Sequence, residues 1–298
     1  MTITQLRVFV QIAETGSFTK AGQALNMTQP AVSHAISALE TELGIKLIIR
    51  ERRNGLRLTD TGKKILVHIR EVLKGIEKAE QLAAAERGLE QGTIHIGTFP
   101  AASAYFIPKL ISVFKKRYPK LELVLHEGTA DEVKEWLQSR MIDAGILLFP
   151  TEDMDYFLLK KDKMAAVMHR DHPLAARSTV TIKDLDGEPM VVCDGGYTSP
   201  FSGLFKQAGA ELCAAFTVFN VSTSINMVRE GLGMAILSEM SMAGNPLPEE
   251  EVVIKEFTPD VFREVQLAVP SIKDASLAAK LFIEIAEELF IRKKTAAD

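Results

Sequence analysis

At 298 residues, 47% hydrophobic and 25% charged, the chain has material for two or three packed domains, which excludes a disordered protein. No apolar run approaches the roughly 18 residues that span a bilayer, and MTITQLRVFV lacks the order of a signal peptide, so a cytoplasmic protein with no membrane partner is expected. The net charge of −4 hides a division: residues 1–87 carry 13 Lys+Arg against 9 Asp+Glu, and the remainder 22 against 30, a mildly basic head on an acidic body.

Thr2 and Gln5 stand at capping-box spacing, and Leu6, Phe9, Val10 and Ala13 form a helical apolar stripe that ends at Gly16. Ser17 to Leu39 reads as two short helices joined by a turn. Ser17 caps the first of these, Phe18 to Leu25. Gly22, Asn26 and Val32 supply the small, turn and β-branched residues of a helix-turn-helix, and close helix–helix contact is the expected reason for Gly22. Thr28 caps the second helix, with Pro30 in its first turn. Val32, Ala35, Ile36, Leu39 and Leu43 share its inner stripe. Gln29, Pro30, Ser33, His34 and Ser37 lie outward. A merely solvated face favours Glu and Lys, whereas this one is small and hydrogen-bonding until Glu40, as close approach to base edges requires. After Gly44, strands are expected at Ile45–Ile49 and Leu56–Leu58 around an Asn54-Gly55 turn, making a wing. Arg50, Arg52, Arg53 and Arg57 lie there, suited either to solvent or to phosphate and minor groove.

The run from Leu6 to Gly62, with SFTKAGQALNMTQPAVSHAISALETELG and LIIRERRNGLRLTDTG, resembles the N-terminal domain of LysR-type transcriptional regulators. It departs from that family's usual residues at Gly22, His34 and near Ile48. The resemblance implies DNA contacts by Thr28, Gln29, Pro30, Ser33, His34 and Ser37, with Arg50 and Arg53 in or near the wing. Thr59 to Gln91 holds no proline, and Leu66, Ile69, Leu73 and Ile76 follow a 3–4 spacing. So narrow a stripe on so long a helix suits a dimerising coiled coil, as the family also implies. Paired heads then read a pseudo-palindromic site.

From Gly92 strands alternate with helices. Strands at Thr93–Thr98, Leu121–His126 and Ala144–Phe149 with helices at Ala102–Lys116 and Asp131–Ser139 imply a parallel sheet. A second set has strands at Met164–His169, Met190–Cys193, Ala215–Phe219 and Met234–Leu237, and helices at Phe201–Ala208 and Ser224–Glu230. Val265–Val269 and the helix Ala275–Ile291 are expected to return to the first lobe. The family's effector domain has this periplasmic-binding-protein-like form, and HPLA (His172–Ala175) and EGLGMAIL (Glu230–Leu237) resemble its elements.

Ligands in such sheets bind where strands end and helices begin. Candidates are therefore Thr98, Phe99, Ala101, Ala102 and Ser103; Thr129; Thr198, Ser199 and Phe201; and Ser222 and Thr223. Singly, each Ser or Thr is an ordinary cap. Converging on one cleft, they favour a small anion such as a carboxylate or inorganic oxyanion. No arginine or lysine adjoins these loops in sequence, so neutral ligands stay open.

His169 and His172 straddle a strand end and a turn without further ligands at metal spacing, and no P-loop, dinucleotide fingerprint or nucleophile elbow appears. No enzyme activity, metal or cofactor is expected. Cys193 and Cys213 make no disulfide framework and read as inert core thiols.

The expected fold class is α+β multidomain: a winged helix-turn-helix (1–58), a long dimerising linker helix (59–91), and a two-lobed α/β effector domain (92–298). Its lobes are 92–161 with 265–298, and 162–264. The expected function is a transcriptional regulator that binds double-stranded promoter DNA under control of a small-molecule effector. Homodimer or homotetramer assembly and RNA polymerase complete the partners. The alternative is a solute-binding or enzymatic α/β domain anchored to DNA, which predicts ligand binding or turnover without effect on DNA occupancy.

Overall fold

The computed structural model describes residues 1–51, 55–86, 92–148, 152–193, 200–245 and 247–291, without the side chains of 50, 51, 55, 82, 84–86, 200 and 201. The chain divides into two compact units: Met1–Gly92 with Gln138–Met141, and Thr93–Leu137 with Ile142–Asp298.

The first unit runs α1 (Ile3–Thr15), α2 (Phe18–Ala24), α3 (Gln29–Leu43), β1 (Ile48–Glu51), β2 (Gly55–Leu58) and α4 (Asp60–Glu86). Thr2 and Gln5 form the reciprocal cap of α1. Leu6, Phe9, Ile12, Ala21, Val32, Ile36 and Leu39 close one core, to which α4 adds Leu66 and Ile69. Leu43, expected inside, is 37% exposed, while Glu40 is buried at 8%. The exchange has a local cause. Gly44 ends α3 in a left-handed conformation, and the chain doubles back so that Glu40 Oε1 accepts the Leu47 and Ile48 N–H groups at 2.9 and 3.2 Å. Its Oε2 meets Lys46 Nζ at 2.6 Å. Burial pushes this carboxyl up, but the Lys46 bond and the two amides outweigh it and hold it below the ordinary carboxylate value.

The Leu47 and Ile48 amides are thus both committed to Glu40, and β1 spans Ile48–Glu51 in place of the expected Ile45–Ile49. Gly55 lies within β2 opposite Glu51; the rest of the expected turn, with Arg52 and Arg53, falls outside the described residues. Gly62 marks a close approach. A Cβ there would lie 2.3 Å from the Leu47 carbonyl oxygen, so the start of α4 is pressed onto the strand entry.

The second unit contains β3 (Gly92–Thr98), α5 (Pro100–Arg117), β4 (Leu121–Glu127), α6 (Ala130–Gln138), β5 (Ala144–Leu147), β6 (Asp155–His169), β7 (Thr179–Val180) and β8 (Pro189–Cys193). It continues through α7 (Pro200–Gln207), β9 (Cys213–Val218), α8 (Val221–Arg229), β10 (Ala235–Ser238), α9 (Glu239–Ala243), β11 (Val252–Phe257), β12 (Phe262–Val269) and α10 (Leu277–Phe290). The main sheet has the order β4-β3-β5-β12-β6-β11-β7; β10 also pairs with β6, and β8 with β9 in parallel.

On one lobe, α5 and α10 cover the sheet through Phe106, Leu110, Phe114 and Phe282. The other lobe has its own core around Met168, Met190, Phe205 and Phe257. The expected strand Met164–His169 is only the end of a 15-residue strand, β6, that runs through both lobes. β12 pairs antiparallel with it, Arg263 directly opposite Asp162. The lobes are therefore joined by two hydrogen-bonded strands.

Candidate functional site

Two places carry chemistry, one in each unit. In the first, the α2–α3 turn sets the attitude of α3. Asn26 takes φ 54°, and a Cβ on Gly22 would come within 2.6 Å of the Met27 carbonyl oxygen. Gly22 is thus required by the turn backbone, more than by the helix–helix contact expected. Thr28 caps α3, accepting the Ala31 N–H at 3.4 Å. Gln29, Pro30, His34 and Ser37 are exposed and Ser33 half-buried, all along the side opposite Val32, Ile36 and Leu39. Arg50 lies in β1 with its side chain outside the described set, and Arg53 is outside it altogether.

In the second unit a cavity of roughly 180 Å³ opens between the lobes. Phe99, Pro100, Ala101 and Ala104 form one wall; Met164, Cys193, Phe219, Asn220, Val221 and Ile236 form the other. Ser238, Met240, Ser241 and Arg263 stand at its base. The arginine side chain is only 9% exposed and its partner Asp162 is fully buried, with Nε to Oδ2 at 2.9 Å. Asp162 Oδ1 accepts the Met240 N–H at 3.0 Å, and Arg263 Nη2 donates to Ser238 Oγ at 2.6 Å. Two charges taken this far from water persist only because each is hydrogen-bonded further. The guanidinium also lies 5.9 Å from the centre of the Phe99 ring.

Of the expected effector residues, Phe99 and Ala101 line the cavity. Thr98 is fully buried and turns its hydroxyl to the Phe99 carbonyl at 3.3 Å; Ala102 is core. Ser103 does not line the cavity. Thr129 caps α6, accepting the Glu132 N–H at 3.1 Å. Ser222 faces a separate hollow beside Arg229, its hydroxyl donated to Asn245, and the Thr223 N–H is taken by the Asn220 cap. Thr198 and Ser199 lie outside the described residues, as does the Phe201 side chain.

Arg263, Asp162, Ser238 and Ser241 escape a reading of helix starts after the early strands. Their one sequence signal is Arg263 at the polar start, FRE, of a strand that ends in the apolar LAV. No arginine or lysine adjoins the candidate loops in sequence, yet Arg263 reaches the cavity from across the lobe junction, on β12. Cys213 is also not a core thiol. It is exposed at the start of β9, a strand paired among the described residues with β8 alone, whereas Cys193 is half-buried in the cavity wall. Among the described residues no three His, Cys, Asp or Glu side chains are grouped to hold a metal.

Comparison with known proteins matches residues 3–63 to the family model "Bacterial regulatory helix-turn-helix protein, lysR family" and residues 87–290 to "LysR substrate binding domain". The uncharacterized HTH-type transcriptional regulator YvbU of Bacillus subtilis is 76% identical over 97% of this chain and 99% of its own length. The dual regulator OxyR of Escherichia coli is 30% identical over 81% and 80%. Among solved structures, a full-length OxyR variant from Pseudomonas aeruginosa superposes with a TM-score of 0.75 at 25% identity, covering 97% of this chain and 94% of that one. Matched across both of its units, the chain belongs to the LysR family of bacterial transcriptional regulators.

Proposed function

We propose that α3 reads promoter DNA in the major groove and that the cleft between the lobes takes a small anionic effector. The outward row of α3 carries this reading: Gln29, Pro30, Ser33, His34 and Ser37 are compact polar or apolar groups with no acid among them. Thr28 sits where the helix start meets phosphate, and Arg50 and Arg53 of the wing supply phosphate or minor-groove contacts.

The division is a reading head (1–58), a pairing helix (59–91) and an effector body, its lobes 92–161 with 265–298 and 162–264. Pairing into a dimer or tetramer falls to α4, which is 27 residues long and leaves Val72 48% exposed, while Leu66, Ile69 and Leu73 pack on the head. RNA polymerase is a further partner, and the setting is cytoplasmic. No helix among the described residues is long and apolar enough to cross a membrane.

The peroxide response in the names of OxyR-like relatives is not part of the proposal. Cys193 pairs with Val218 and Cys213 with Pro189, so the thiols are four residues apart along parallel strands, about 13 Å. A disulfide needs Cα atoms about 4.4–6.8 Å apart.

Replacing Gln29 or Ser33 with Ala is expected to cost about 1–3 kcal/mol of sequence discrimination. Footprinting of the full-length protein on a fragment selected from genomic DNA reads this. Footprints that keep their position and their preference over competitor DNA remove the base-reading role.

A further inference from the structure

The hydroxyl pair at the start of α9 has its protons ordered by its neighbours, and the order decides what the cleft can hold. Ser238 Oγ accepts from Arg263 Nη2 at 2.6 Å and from the Ser241 N–H at 3.1 Å. A hydroxyl oxygen has two lone pairs, so both are filled. Its proton then goes to Ser241 Oγ, 2.9 Å away. Ser241 Oγ accepts that proton and a longer contact from Arg263 Nη2 at 3.3 Å. The Ser241 O–H is left with no acceptor among the described residues, not even the carbonyl one turn back that helical serines use. Ser241 is 7% exposed and lines the cavity.

Other donors face the same space. The N-cap of α5, Phe99, supplies no side-chain bond, and the N–H of Ala101, a cavity-wall residue, has no partner among the described residues. The neighbouring side-chain acceptors each already take at least one hydrogen bond. Asn220 Oδ1 takes the Ser222 and Thr223 amides, Asn245 Oδ1 takes the Ser222 hydroxyl, and the Asp162 oxygens take Arg263 and Met240.

We infer that the cleft selects a carboxylate on a short apolar body, and that Ser241 is the specificity-determining donor. The inference rests on the cleft being the effector site. Arg263 is a positioning residue: its Nε is held by Asp162, and its charge reaches the ligand through two polarised hydroxyls. A carboxylate can accept from both the Ser241 hydroxyl and the Ala101 N–H, which an ammonium cannot do. The apolar remainder lies against Phe99, Met164, Ile236 and Met240.

The test is a thermal-shift and calorimetric panel on the full-length protein, using straight-chain carboxylates from acetate to octanoate with the corresponding amides and amines. Carboxylates are expected to stabilise most and amines least. Ser241→Ala should weaken the best carboxylate about tenfold, one charge-assisted hydrogen bond, and Ser241→Thr, which keeps the hydroxyl, should restore it. Amines binding as well as carboxylates, no carboxylate binding at all, or a preference untouched by Ser241→Ala each overturn the inference. Ala101→Trp fills the cavity and should abolish all binding. If carboxylates still bind that variant, the fault lies with the cleft as effector site, not with its polarity.

Discussion

The two proposed recognition surfaces use serine in opposite ways. On α3, Ser33 and Ser37 make no side-chain hydrogen bond among the described residues and stand toward solvent. In the cleft, Ser238 and Ser241 are buried, and all but one of their hydrogen-bonding positions are taken by Arg263, by each other and by the α9 backbone. A hydroxyl that is to meet a long polar partner can be left to water, because water holds it at little cost until the partner arrives. A hydroxyl that is to choose a small ligand inside a cavity needs its proton placed beforehand, since the ligand offers too few groups to place it.

The contrast is broken most severely by Asp162→Ala. Removing one member of so buried a pair leaves the Arg263 charge uncompensated, and a loss of about 3–5 kcal/mol is expected in chemical denaturation of the effector unit. If the two surfaces are independent, DNA binding at temperatures below the lowered transition survives; loss of both together shows coupling.

Gly62→Ala tests the other unit without touching the outward row of α3. The added Cβ gains about 1 kcal/mol of helix propensity but collides with the Leu47 carbonyl. Overpacking of that kind costs about 1–3 kcal/mol, so a net loss on the order of 1 kcal/mol is expected. A more stable variant would show that the wing entry yields.

Glu40→Gln is the smallest change, about 1 kcal/mol, the difference between a charged and a neutral acceptor. The Lys46 contact adds little because that lysine is 74% exposed. Since the folded carboxyl is held below its ordinary value, its contribution is complete above the unfolded carboxylate range and is lost as pH falls through the folded value. The gap between wild type and variant should therefore close in acid. Hydrogen exchange at the Leu47 and Ile48 amides reads it directly, and a gap that widens in acid contradicts the assignment.

What could be read from the residues follows the range of the forces involved. The helix-turn-helix is local: its caps, its Asn26 turn and the stripe Val32, Ile36 and Leu39 lie within one helix-length of each other. The cleft is not local. The run Lys160-Lys161-Asp162-Lys163 looks like a solvated loop, and its strand was missed for that reason. In the fold each charge finds a distant partner: Lys160 over the Tyr105 ring, Lys161 over Phe262, Asp162 on Arg263, and Lys163 between Glu256 and Asp260. β11 was missed likewise, because the alternating VVIKEF gains its meaning only beside β6. Of the helix starts nominated for the effector, Phe99 and Ala101 line the cavity, while the Thr129 hydroxyl caps α6 and the Thr98 and Ser222 hydroxyls turn to Phe99 and Asn245.

The junction between the lobes has a mechanical consequence. Because β6 and β12 cross side by side, paired on both sides of a register shift between Val265 and Gln266, the connection is a two-stranded ribbon and not a pair of slack tethers. A two-stranded ribbon resists bending in its plane but tolerates added twist. Twist is therefore the compliant direction expected between the lobes at this crossing, where Asp162 faces Arg263. If the cleft takes an effector beside this ribbon, the spread of lobe orientations is the number to measure on binding, alongside the mean.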